Sequence, residues 1–425
     1  MKGTFRSLRH FNYRVWACGA VVSNIGTWMQ RTAQDWIVLA DLTKHSATAV
    51  GVVMGLQFGP QILLLPFTGI AVDRIERRRL LLITQTSMGV LALALGLLAV
   101  TGWVRLWHVY VLAFLLGSVA AFDAPARQVF VSELVDDAHL SNAVALNSMS
   151  FNAARLVGPA VAGLLIAAVG SGWVFLINAA SFAAVVAALG MLRVHEMRIG
   201  HPPVRTPGML AGGFRYISGR MDMLTVLLML FLIGTFGINF PIYISTMSLV
   251  VFHAGAGEYG VLTSLMAVGS VIGAVLSAQR ERPGFGLLLG ASLAFGVTLA
   301  LAAIMPDYRL FGLALIFVGL AVQTFTTTAN SAMQLWTEPG MRGRVMAIFF
   351  AIAVGATPVG APIIGWVADR FGPRWGMISG ASSGFVAAMV GIRYLMKYRR
   401  VRVRLQAGRL RISRGRRNGS NGQDP

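Results

Sequence analysis

Arg31 and Asp35 stand four residues apart inside an apolar run, in the stretch IGTWMQRTAQDWIVL. A base and an acid at that spacing share one face of a helix, together with Asn24 and Trp28. An ionisable side chain in such a setting costs about 3 kcal/mol unless it finds a partner or water. Two roles are open to this pair. It can neutralise itself and merely orient its helix, or Asp35 can bind and release a proton, with burial and Arg31 acting on it in opposite senses. Arg155 lies near the middle of a later apolar run, on a face with Asn147 and Phe151, and no acid stands four residues away. It is expected to face a cavity and meet an anion, a ligand group or an acid on another helix. Gly158-Pro159 follows at once; Pro159 removes a backbone donor and permits a kink. Gln57, Gln61, Asn239, Tyr243, Gln323, Thr327 and Asn330 are candidate cavity linings, and each could equally be an interhelical hydrogen bond.

A second constellation is GIAVDRIERRRLLL, residues 69–82, where six of the seven positions from Asp73 to Arg79 are charged. Gly69 would let helices approach closely, and Asp73 can cap a neighbouring helix N-terminus. Arg74 and Arg77 can pair with acids across a seam. Asp123 and Arg127, again four apart with Pro125 between them, are expected to partner this loop as an inner gate. Seven histidines are scattered, and no pair has metal-ligand spacing in sequence. No metal and no cofactor are expected. A phosphate loop and a nucleophile–base set are both missing, so neither an ATP engine nor an enzyme is indicated.

The elements that must position these residues follow from composition. The 425 residues are 56% hydrophobic and 12% charged, with mean hydropathy +0.68; soluble domains carry about 25% charge. Lipid is therefore the expected solvent. A span needs about 20 apolar residues, and runs occur at roughly 14–40, 49–71, 80–101, 106–125, 141–168 and 171–192, then 221–251, 258–279, 284–305, 309–335, 343–368 and 374–396. The expectation is an all-α membrane protein of twelve spans. Residues 1–192 form one six-helix half, 193–220 a cytoplasmic linker, 221–396 a second half, and 397–425 a basic disordered tail. Alternate loops are rich in Lys and Arg, which places that side and both termini in the cytoplasm. Cys18 is the single cysteine, so no intrachain disulfide can form.

The tail holds ten of the basic residues behind a net charge of +20. Anionic lipid is one partner for it and a plain topology signal the other reading; nucleic acid is not expected beside a span. The halves echo each other: Gly69 with Gly273, Asn142-Ala-Val-Ala with Arg344-Val-Met-Ala, and Gly158-Pro159 with Ala361-Pro362 recur 202 to 204 residues apart. Parallel repeats of this kind place a site between halves near the midplane.

The turn pattern Gly-x-x-x-Asp-Arg-x-x-Arg-Arg between the second and third runs resembles the signature of the major facilitator superfamily, with Glu76 where glycine is common. IGTWMQRTAQDWIVL, AFDAPARQVFVSEL, NAARLVGPAVAG and RGRVMAI resemble its drug and siderophore exporter branch over residues ~6–395. The resemblance implies a monomeric secondary transporter in the cell membrane. It would export small amphipathic molecules by alternating access, in exchange for protons. Two departures matter. Ala113 stands where the superfamily often has an arginine before Gly117, and Ser277 replaces the motif aspartate in the second half. An importer or facilitator of a metabolite with the same fold is the alternative, and a membrane-embedded sensor or enzyme a remote one.

Overall fold

The computed structural model describes residues 5–197, 209–279, 284–398, 401–406 and 409–414. The first bundle comprises α1 (Phe11–Trp36), α2 (Ala47–Leu63), α3 (Leu65–Arg74), α4 (Arg77–Val100), α5 (Leu106–Glu133), α6 (Asp137–Val169) and α7 (Ser171–Gly190). A short helix, α8 (Met209–Ser218), lies inside the expected linker. The second bundle comprises α9 (Met221–Leu232), α10 (Phe240–Thr246), α11 (Ala256–Ala278), α12 (Phe285–Ile304), α13 (Tyr308–Trp336), α14 (Arg342–Phe371) and α15 (Pro373–Tyr398). Among the described residues ten helical stretches are long and apolar enough to cross a membrane. The two remaining runs are helical as well. The first, α1, carries polar side chains at its centre, and the second divides into α2 and α3 at Leu64, between Pro60 and Pro66. Large apolar side chains such as Ile83, Leu164 and Met389 stay exposed on the circumference, where lipid is their natural solvent.

The bundles meet along two seams, α2 with α14 and α6 with α11, and the seams are built alike. A Cβ on Gly51 would sit 2.3 Å from the Ala361 carbonyl oxygen, and one on Gly260 would sit 2.4 Å from that of Pro159. Helices α6 and α14 end at Gly170 and Gly372, both with positive φ that a side chain would strain. Gly365 approaches Ala47 as Gly163 approaches Ala256. The backbone alternates between two faces: a basic face with the turn at residues 75–76, and a far face with the turns at 43–46, 252–255 and 305–307. The inter-bundle close approaches of these glycines run from the middle of the molecule to the far face.

Span seven departs from the continuous helix expected over 221–251. After α9 the turns widen at Ile233–Gly237, Ile238 and Asn239 leave helical geometry, and α10 resumes at Phe240. Gly237 and Pro241 explain the break. Side chains satisfy the carbonyls it frees: Asn239 Nδ2 donates to the Thr235 oxygen at 2.7 Å, and the Tyr243 hydroxyl donates to that of Phe236.

The tail also departs from expected disorder. Strands β1 (Val401–Gln406) and β2 (Arg409–Arg414) pair antiparallel, with Val403 opposite Ile412 and Leu405 opposite Leu410. Alternating Val-Arg-Val-Arg and Arg-Leu-Arg-Ile is a period-two pattern, which charge counting alone overlooks.

Candidate functional site

Between the bundles lies a cavity of about 220 Å³. Trp28, Arg31, Thr32 and Asp35 come to it from α1, Gln57 and Phe58 from α2, Arg155 from α6, Phe240 from α10, Tyr259 and Thr263 from α11, and Thr357 from α14. Its chemistry is two guanidiniums, one carboxylate and a wall of rings.

The Asp35 side chain is buried, at 8% relative exposure, and accepts a hydrogen bond from the Tyr259 hydroxyl at 3.4 Å. The bond crosses from one bundle to the other. Trp36, the next residue, stacks on the same tyrosine, with centroids 5.8 Å apart and planes at 23°. Arg31 does not form the ion pair with Asp35 that its spacing allows. Its guanidinium lies over Trp28 at 5.0 Å and Phe58 at 5.6 Å, and its buried Nε has no hydrogen-bond partner among the described residues. The rings of α1 and α2 capture the guanidinium, and the tyrosine of the opposite bundle captures the acid. Arg155 also lies over Trp28, at 5.7 Å. Gly158 makes this possible, because a Cβ there would fall 2.6 Å from that of Trp28. Pro159 stays within an unbroken α6.

Several expected lining residues lie elsewhere. Asn24 Nδ2 donates to Ser150 Oγ at 3.2 Å, and Asn24 Oδ1 accepts from Arg127 at 3.4 Å, so it ties α1 to α5 and α6. Asn147 faces a separate groove beside Tyr13 and Trp16. Asn239 is fully buried at the break in span seven. Gln323 and Asn330 line a crevice with Phe349 and Phe350, and Gln323 donates to Thr327 Oγ1 at 3.1 Å.

In this arrangement, with the far face closed, Arg77 and Asp123 of the expected inner gate are held inside their own bundle. Arg77 pairs with Glu133 of α5, inside its own bundle rather than across the seam. Arg78 donates to the Leu189 carbonyl at 2.9 Å, and Arg74 is exposed. Asp123 and Arg127 do pair, at 2.7 Å. The acid also accepts from Thr84 Oγ1 at 2.8 Å and Gln85 Nε2 at 2.6 Å. That carboxylate is buried and saturated between α4 and α5, so it clamps one bundle and does not reach the other. Gly69 is buried in α3; the Asp73 side chain lies outside the described residues.

Two further groups lie outside the expected set. Asp369, at the end of α14, accepts four hydrogen bonds from residues 46–48 at the start of α2. The donor atoms of His10, Asp136 and His139 all lie within 4.8 Å of one another, although 129 residues separate the histidines. The Asp136 carboxylate caps α6 through the His139 N–H at 3.0 Å, and the ring nitrogens of His10 and His139 lie 3.4 Å apart. Each of these groups thus has a partner within the cluster.

A family described as transmembrane secretion effectors matches residues 2–406. The chain is 25% identical to the staphyloferrin A transporter of Staphylococcus aureus, over 82% of this chain and 87% of that one. It is 27% identical to the multidrug efflux pump Tap of Mycolicibacterium fortuitum, over 83% and 88%. It is 25% identical to the enterobactin exporter EntS of Shigella flexneri, over 84% and 85%. The fold is shared with a bacterial homolog to the human lysosomal transporter Spinster in an inward-facing, unoccupied conformation, at TM-score 0.72 and 13% identity over 90% of this chain and 96% of that one. It is shared with the nucleoside transporter NupG at TM-score 0.71 and 14% identity, over 91% and 99%.

Proposed function

Because the chain belongs to the transmembrane secretion effector family of the major facilitator superfamily, we propose that it exports small amphipathic molecules of the drug or siderophore class by alternating access, in exchange for protons. The observation that carries this reading is the cavity on the seam, where aromatic rings frame two guanidiniums and one buried carboxylate. Rings, with Met54 and Met266 beside them in the lining, suit the apolar part of a cargo, and Arg155, with no acidic partner among the described residues, suits its acceptor or anionic part. The basic face is cytoplasmic, and the membrane is the cell (inner) membrane.

The proton step follows from the bond that joins the bundles. With the far face closed, the Tyr259 hydroxyl donates to Asp35, and the acid needs no proton. Opening the far face withdraws α11 from α1 and removes that donor. A proton from outside then takes its place on Asp35. Closure restores the tyrosine, and the proton leaves toward the cytoplasm. Each full cycle moves one proton inward on the closing half, and the cargo occupies the cavity on the opposite stroke. Since affinity for either passenger differs between the two states, each passenger can drive the change of state.

Direction and coupling are tested together in inverted membrane vesicles under an imposed pH gradient, with the cargo first identified by a sensitivity screen. Accumulation inside inverted vesicles with an acid lumen supports export by exchange. Accumulation only under the reversed gradient would identify an importer.

A further inference from the structure

The far end of the α2–α14 seam carries a sequence pattern of its own. Gly365-Trp-Val-Ala-Asp369-Arg370 matches Gly69-Ile-Ala-Val-Asp73-Arg74 at its glycine, aspartate and arginine. The first copy ends α3 at the basic face, and the second ends α14 at the opposite face. In the second copy each shared acid and glycine has a visible task. A Cβ on Gly365 would lie 2.5 Å from the Ala47 carbonyl oxygen and 2.7 Å from the Thr48 Cα, so glycine lets α14 touch the first turn of α2. The Asp369 carboxylate then accepts from the Ala47 N–H at 2.6 Å and the Thr48 N–H at 2.9 Å. It also accepts from the Thr48 hydroxyl at 2.6 Å and the Ser46 hydroxyl at 3.0 Å.

A helix leaves its first N–H groups without intrahelical partners, at the positive end of its dipole. Here a residue of the other bundle satisfies two of them, while Ser46 serves the Ala49 N–H within the helix's own chain at 3.2 Å. Among the described residues, the second seam has no such device. Helix α11 is capped by its own Glu258, which accepts from the Gly255 N–H at 3.0 Å. The position 202 residues before Asp369 is Ala167.

We propose that Asp369, seated by Gly365, is the latch that holds the far face shut, and that each transport cycle breaks and remakes it. Opening the far face separates α14 from α2, returning the Ala47 and Thr48 N–H groups and the carboxylate to water. The contacts exist in one state only, so they set the balance between states. The latch rests on alternating access but not on the direction or identity of the cargo.

The test uses the full chain carrying Cys18→Ala, with spin labels at Trp103 and Pro306. Both are exposed, and they lie on far-face turns of opposite bundles. Distances are measured in lipid nanodiscs without cargo or gradient, so the outcome is independent of the export reading. Asp369→Ala is expected to raise the long-distance population about tenfold, the effect of losing one helix cap. Asp369→Asn keeps the shape and is expected to shift it the same way by less, which covers the case in which the alanine variant fails to fold. Glu258→Gln, which disturbs a cap within one bundle, is expected to leave the distribution unchanged. An unchanged distribution in both Asp369 variants overturns the latch, as does an equal shift from Glu258→Gln.

Discussion

At the scale of single residues, the cavity joins groups that would be unstable apart. Two guanidiniums share one indole, and the carboxylate reaches across the seam to a phenol. Arg155→Ala should raise the cargo concentration for half-maximal flux by roughly 10- to 100-fold, the worth of a hydrogen bond to a charged group. Arg155→Lys should recover part of it, since lysine keeps the charge and loses the planar fork. Equal, unaltered flux in both variants would remove Arg155 from the site. Tyr259→Phe keeps the ring stacked on Trp36 and deletes only the donor to Asp35. Uphill accumulation should fall about tenfold while downhill exchange stays close to the unmodified level, measured in one proteoliposome preparation. A parallel loss of both would mark Tyr259 as packing alone. Sequence reached Arg31, Asp35 and Arg155 because charge inside an apolar run is costly wherever it falls. It could not reach Tyr259, 224 residues from Asp35, because a tyrosine in an apolar helix has no such signature.

At the scale of elements, apolar periodicity located the helices and missed what joins them. The twelve runs are all helical, yet the break after Gly237 and the hairpin from Val401 depend on local backbone chemistry inside otherwise uniform segments. Asn24, Asp123 and Arg127 looked like gate or cavity groups because they are polar within spans. Arg127 keeps the Asp123 that its spacing predicts, but Asn24 is also met by Ser150 and Asp123 by Thr84 and Gln85, neutral side chains on other helices that no spacing rule reveals. Arg77 was drawn inward by Glu133, 56 residues away, rather than across the seam. The start of α6 offers a pH test. The His139 imidazole beside Asp136 holds its carboxyl below the usual carboxylate range. A group depressed in the folded state stabilises it above the unfolded value and loses that contribution as pH falls through the folded value. Asp136→Ala should therefore lower the melting temperature at neutral pH, and the gap from the unmodified protein should narrow as the medium is acidified below the usual carboxylate range. A gap independent of pH would show that the cap acts by shape alone.

At the scale of the whole molecule, two bundles share seams built on repeated glycines, and their only described carboxylate–phenol bridge sits where the cavity is. That bridge is the observation on which the proposed exchange of a proton for cargo rests. The direct measurement is cargo flux in proteoliposomes across a pH series, with the unmodified chain and Asp35→Asn side by side. Asparagine keeps the shape of the acid and cannot titrate. The unmodified chain should concentrate cargo when a pH gradient is imposed, and the variant should still equilibrate cargo down its gradient but fail to concentrate it. Concentration of cargo by Asp35→Asn to the unmodified level would contradict the account.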